Sequence, residues 1–141
     1  MGKTMSTKNE YLLLFSSNEW WNKLSLAEIQ SIYSQNKAWV EDLVAKGKMK
    51  GGQALAREGA TVSSKNSRVL LDGPFAESKE VIGGYLMLEA ESLEEAIAIA
   101  KSSPSLQGGG HIEVRPLADE CPLDARLRQL AAQQQLATAN V

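Results

Sequence analysis

Two short polar-acidic motifs constrain this chain more than anything else in it: Ser25-Leu-Ala-Glu28 and Ser92-Leu-Glu-Glu95. Each has the form of a capping box. The serine accepts a hydrogen bond from a free N–H of the first helical turn, and the glutamate three residues on reaches back. They predict two helices, one over about 25–46 ending at Gly47 with Lys46 in its last turn, the other from Ser92 through about Lys101.

Strand-like segments flank both helices. Tyr11–Phe15 (YLLLF) precedes the first; runs over 49–56 and 59–71 follow it, with Glu58-Gly59 as the turn between them and Lys65-Asn66-Ser67 as an irregularity or tip. Gly84–Ala90 (GYLMLEA) precedes the second helix, putting Tyr85, Met87 and Glu89 on one face and Leu86, Leu88 and Ala90 on the other. After Pro104 and the run Gly108-Gly109-Gly110, His111–Pro116 is the last strand, with His111, Glu113 and Arg115 opposite Ile112 and Val114. These five runs and two helices hold the β-α-β-β-α-β order with one strand run to spare, so the expected fold class is α+β, a ferredoxin-like antiparallel sheet with both helices on one face.

Two helices cover only one face of such a sheet, yet the first and fourth strands are apolar on both, as Tyr11/Leu13/Phe15 and Tyr85/Met87 show. A second copy of the chain is the economical cover. We therefore expect a homodimer with its sheets face to face and room for a cavity between them.

Domain organisation follows from the same pass: a leader over 1–9, one domain over 10–117 and a helical tail over 118–141. The opening MGKTMS fits a myristoylation pattern formally, but is better read as a short leader ahead of Met5. In the tail, Pro122 suits a first helical turn, Leu123, Leu127 and Leu130 recur at helical spacing, and Asp124 can pair with Arg128.

Composition excludes several functions. With 15 basic and 17 acidic residues and no basic run, direct nucleic-acid binding is not expected. One cysteine and one histidine rule out an internal disulfide and give no metal-ligand cluster, so neither metal nor cofactor is expected, and a reducing cytoplasm fits. No apolar run is long enough for a membrane span.

The first helix carries an apolar stripe of Ile29, Tyr33, Val40 and Leu43, with Leu26 and Val44 at one margin and Ile32 at the other. Asn36 falls inside it. A polar amide there is either a core group bonded to backbone or water, or a group lining a pocket.

The stretch LLDGPFAESKEVIGGY (70–85) is too long for a hairpin turn. Its DGPFAESKE and GGY resemble the signature of YCII-related proteins of the DGPF type. The likeness extends to YLLL, the Trp-bearing loop, SLEEA and GGGHIEVRP, over about residues 10–117. The resemblance implies a dimeric α+β barrel of ferredoxin-like subunits and little about reaction. Related domains occur alone or attached to sigma-factor-like proteins. The wider group is thought to use a histidine and an aspartate in a cleft, one relative being a dehydrochlorinase. The matching positions here are Asn36 and Ser103, so that pair does not carry over.

Asp72 is the best remaining carboxylate, as a holder of loop N–H groups or as a general acid/base. Phe75 is a candidate anchor, for the core or over a pocket. Ser78 and Lys79 form either a solvated patch or a polar-ligand contact. Trp20 and Trp21 are packing residues or the roof of a cleft, and Tyr85, His111 and Arg115 are further pocket-edge candidates. Gly83-Gly84 permits close backbone approach at the entry to a strand. The leading expectation is a dimer binding a small organic molecule in a cleft between helix face, sheet and the 72–82 loop. If chemistry follows, it is cofactor-free proton transfer or elimination. The alternative is a regulatory or interaction module whose loop and tail contact a partner protein, in transcription for instance.

Overall fold

The computed structural model describes residues 9–16, 18–72 and 81–139, with only the backbone at Asp72. They form two compact units, one over residues 9–116 and one from Leu117 onward.

The first unit holds four core strands: β1 (Glu10–Ser16), β2 (Met49–Ala54), β5 (Ile82–Glu89) and β6 (Ile112–Pro116). Their order is β2-β5-β1-β6, every neighbour antiparallel, which is the ferredoxin-like arrangement. Helices α1 (Leu26–Ala45) and α2 (Leu93–Lys101) supply the connections, helped by 3₁₀ turns at Trp20–Lys23 and Pro104–Gly108.

Both helices begin at the serines expected. In α1, Ser25 Oγ accepts from the Glu28 N–H at 3.1 Å and Glu28 Oε1 accepts from the Ser25 N–H at 2.8 Å, a complete box. These bonds to Ser25 hold the Glu28 carboxyl below its ordinary range. In α2, Ser92 Oγ takes the Glu95 N–H at 3.1 Å, but Glu95 reaches one residue further back, to the Glu91 N–H at 2.7 Å. That bond, with Lys48 at 3.2 Å, lowers the Glu95 carboxyl as well. Gly47, at φ +72°, ends α1 in the left-handed region, which a side chain would strain.

Cross-strand register sets the two faces. Tyr11 pairs with Leu88 and Leu13 with Leu86, while Leu13 also pairs with Val114 and Phe15 with Ile112. With Leu43 and Ala100 from the helices these make the core, in which Leu13 and Leu88 are wholly buried. Tyr11, Ala90 and Ala96 extend it toward α2. On the opposite face Leu12, Leu14, Tyr85 and Met87 are half-buried in the single chain.

The strand expected over 59–71 is not one strand, nor part of this sheet. It folds back on itself as the hairpin β3 (Thr61–Lys65) and β4 (Arg68–Asp72), whose residues pair only with one another in a separate two-stranded sheet. The tip is Asn66-Ser67, both at positive φ (53° and 65°), the conformation a tight two-residue hairpin requires. The strand expected to begin at Gly84 begins instead at Ile82.

In the second unit, α3 (Pro122–Ala139) starts at the proline as expected. Arg128 pairs with Glu120 rather than with Asp124. Leu123, Leu127 and Leu130 are exposed along it. Among the described residues no helix is long and apolar enough to cross a membrane.

Candidate functional site

The core fills only one end of the space between α1 and the sheet. At the other end lies a cavity of about 640 Å³. Its helical wall is the apolar stripe of α1: Ile29, Ile32, Tyr33, Asn36, Trp39 and Val40. Phe15 and Leu86 face it from the sheet, Trp20 and Trp21 close one side, and Gln53, Ala54, Leu55 and Arg57 border it beyond the end of β2.

Specific contacts keep this space open. The Trp39 indole N–H donates to Ser102 Oγ at 2.8 Å, and Ser102 in turn donates to the Ile99 carbonyl at 2.6 Å, tying α1 to the end of α2. The Gln107 amide donates to Gln35 Oε1 at 2.7 Å. The Trp20 ring lies close against the glycine run: a Cβ at Gly108 would stand 2.2 Å from its six-membered ring, and one at Gly110 would stand 3.1 Å from its Nε1. Trp21 meets Trp20 edge-on, with centroids 5.4 Å apart. The glycines expected only as punctuation are thus a seat for an indole. On the sheet side, a Cβ at Gly84 would stand 3.0 Å from the Gln53 carbonyl, the close backbone approach expected at that strand entry.

Asn36 is half-buried on the lining, and its amide makes no hydrogen bond to another described residue. Ser103, the other position singled out, is buried, and its hydroxyl sits 2.9 Å from Ser105 Oγ at the cap of the 3₁₀ turn Pro104–Gly108. Ser105 itself lines the cavity. The ionic groups described on the lining, Glu19 and Arg57, face one another at 3.6 Å.

The structure therefore brings Trp20, Trp21, Asn36, Tyr85 and His111 to one cavity. Tyr85 borders it from β5, where alternation with the buried Leu86 directs its ring to the opposite sheet face. His111 lies on the lining, where its backbone N–H donates to Ser16 Oγ at 3.0 Å. Arg115 is elsewhere, paired with Glu113 on the exposed face of β6 at 3.1 Å; the two-residue spacing on one strand puts both on the side away from the helices. Phe75, Ser78, Lys79 and the side chain of Asp72 lie outside the described residues. Sequence reasoning passed over Trp39, Ser105 and the Glu19–Arg57 pair. Trp39 alone carried a signal, since it falls beside Ile32 at the margin of the α1 stripe.

A family model for the YCII-related domain matches residues 13–120. The chain belongs to the YCII-related domain family. An uncharacterized protein of Rhizobium meliloti is 41% identical over 56 residues of this YCII-related chain. That match covers 39% of the chain and 45% of the relative, so it spans less than half the relative's length. Among solved structures, a 5-chloro-2-hydroxyhydroquinone dehydrochlorinase from Burkholderia phenoliruptrix AC1100, in complex with 2,5-dihydroxybenzoquinone, aligns with 79% of this chain and 95% of its own. The identity is 19% and the TM-score 0.44.

Proposed function

We propose that this YCII-related protein is a homodimer that binds a small organic molecule in the cavity between α1 and the sheet. One observation carries the reading: about 640 Å³ of space, walled mainly by apolar and aromatic side chains, with an Asn36 amide on the lining that bonds no other described residue. That size and balance are typical of small-ligand sites. A void of this size in a small domain forfeits packing energy, and a ligand restores it. The dimer rests on the other face of the sheet, where Leu12, Leu14, Tyr85 and Met87 await cover.

If turnover accompanies binding, it is a cofactor-free proton transfer or elimination, with Asp72 as the carboxylate to test. Asn36 stands where the wider group places a histidine, and an amide holds and orients a ligand but does not exchange a proton near neutral pH.

The test is a thermal-shift screen of the full chain against a diverse library of small organic molecules, since a ligand that prefers the folded state raises its melting temperature. Hits whose stabilisation disappears in Trp20→Ala or Asn36→Leu, each first shown to be folded, support the cavity. Hits indifferent to both variants, or none at all, sink it. Light scattering at micromolar concentration tests the dimer, and a monomeric mass overturns it.

A second reading draws on a different observation. The hairpin β3–β4 exposes Val62, Val69 and Leu71 on one face, at 66%, 76% and 72%. A two-stranded ribbon alone is marginally stable in water, and this exposure favours an interaction module. A screen without hits, together with a hairpin protected in hydrogen exchange only when a partner protein is added, would favour that reading.

A further inference from the structure

The distribution of aromatic residues narrows the ligand class. The chain has three tryptophans, three tyrosines and two phenylalanines. Six of these eight residues, Phe15, Trp20, Trp21, Tyr33, Trp39 and Tyr85, belong to the cavity lining, Tyr85 from β5 with its ring on the opposite sheet face. Among the described residues the buried core holds one aromatic, Tyr11, and is otherwise leucine, valine and alanine. Aromatic rings normally dominate core packing because they bury the most area. Here most of the described rings border a void, Phe15 and Trp39 doing so while they also pack against the core.

Their placement is held by directed contacts. Trp20 is seated on Gly108 and meets Trp21 edge-on, and the Trp39 indole N–H is committed to Ser102. Rings fixed this way offer faces and edges without further loss of side-chain freedom. A planar ring entering among them stacks offset or edge-to-face, an attraction a saturated ring of similar size lacks. Charge complements shape. Glu19 and Arg57 face one another, so the described lining presents no net formal charge to a carboxylate or an ammonium. Asn36 then stands as a polar group on the apolar stripe, able both to donate and to accept.

We infer that the cavity takes a neutral, planar aromatic molecule, its ring among Trp20, Trp21 and Trp39 and one hydrogen-bonding substituent on the Asn36 amide. This rests on the reading of the cavity as a ligand site and adds the ligand's class to it.

The probes are 2-naphthol, its saturated counterpart decahydro-2-naphthol, 2-naphthoate and 2-methylnaphthalene, titrated calorimetrically into the full chain. We expect 2-naphthol to bind about tenfold more tightly than the saturated alcohol, as aromatic contacts beyond area burial allow. It should also exceed 2-naphthoate, whose carboxylate would be desolvated and would have to compete with Glu19 for Arg57. Asn36→Leu should weaken 2-naphthol about fivefold, the worth of one net hydrogen bond, and leave 2-methylnaphthalene unchanged.

Equal affinity for 2-naphthol and its saturated counterpart overturns the aromatic class while leaving a cavity ligand intact. Tighter binding of 2-naphthoate overturns the neutral class. An equal loss of naphthol and methylnaphthalene in Asn36→Leu overturns the role of the amide. If none of the four binds while the broad screen yields cavity-dependent hits, this inference falls alone; if the screen is also empty, both fall.

Discussion

The two ends of the space beneath α1 are built from one helix and one sheet, and they differ sharply. At the Leu43 end, Leu13, Leu86, Leu88 and Ala100 close into a core with two leucines entirely out of water. At the Ile29 end the same stripe faces an opening, and Ile29 and Tyr33 remain 37% and 68% exposed. Periodicity does not separate them, because every third or fourth residue is apolar in both. What separates them is the opposing surface. Leucines and alanines interlock at one end, while at the other a tryptophan seated on glycine, and a strand entry made of Gly83-Gly84, hold the walls apart. An apolar helical face therefore specifies that something apolar is opposite it, and leaves open whether that is protein or ligand.

Substitutions at the two ends should break or sharpen this contrast. Leu13→Ala leaves a hole in a dry, fully packed site and should cost about 2–5 kcal/mol, read as a lower denaturant midpoint. Ile29→Ala, on the cavity lining, should cost less than about 1 kcal/mol, because little packing is lost there. Equal costs would mean that both ends are ordinary core. Gly108→Ala drives a methyl into the Trp20 ring and should cost about 1–3 kcal/mol while displacing that indole. Unchanged stability and an unmoved Trp20 indole signal would refute the seat.

Trp39→Phe keeps a ring on the lining but removes the N–H bonded to Ser102, and should cost about 1 kcal/mol. The smallest effect concerns pH. The Glu28 and Glu95 carboxyls lie below their ordinary value of 4.5 in the folded chain, through bonds to Ser25 and to Glu91 and Lys48. A lowered folded-state value gives stability that is present above 4.5 and lost as pH falls through the folded values. Glu28→Gln should flatten part of that acid-side decline.

Much of this was legible in the chain. Two capping boxes located both main helices, and alternation assigned the faces of β5 and β6 correctly. Asn36 stood out because an amide interrupts an apolar stripe, which is a local signal. The run 59–71 reads as one strand with an irregularity or tip at Lys65-Asn66-Ser67; the tip stands where expected, but a β-rich run looks the same whether it continues past such a point or folds back. The decision lay with Asn66-Ser67, where two non-glycine residues adopt positive φ. The seat for Trp20 was invisible for another reason. It joins residues about ninety positions apart, and a triple glycine read alone signifies only a turn. Trp39 was passed over because it lies at the edge of the stripe and its bond to Ser102 is long-range.

All three tryptophans of the chain border the cavity, so their indole N–H signals in a proton–nitrogen correlation spectrum form a direct reporter of its occupancy. Titrating 2-naphthol into the labelled full chain should move all three indole signals together with the Asn36 side-chain amide, and leave the amides of Leu12 and Leu14 unchanged. Binding that shifts Leu12 and Leu14 while the indoles stay still would contradict the account.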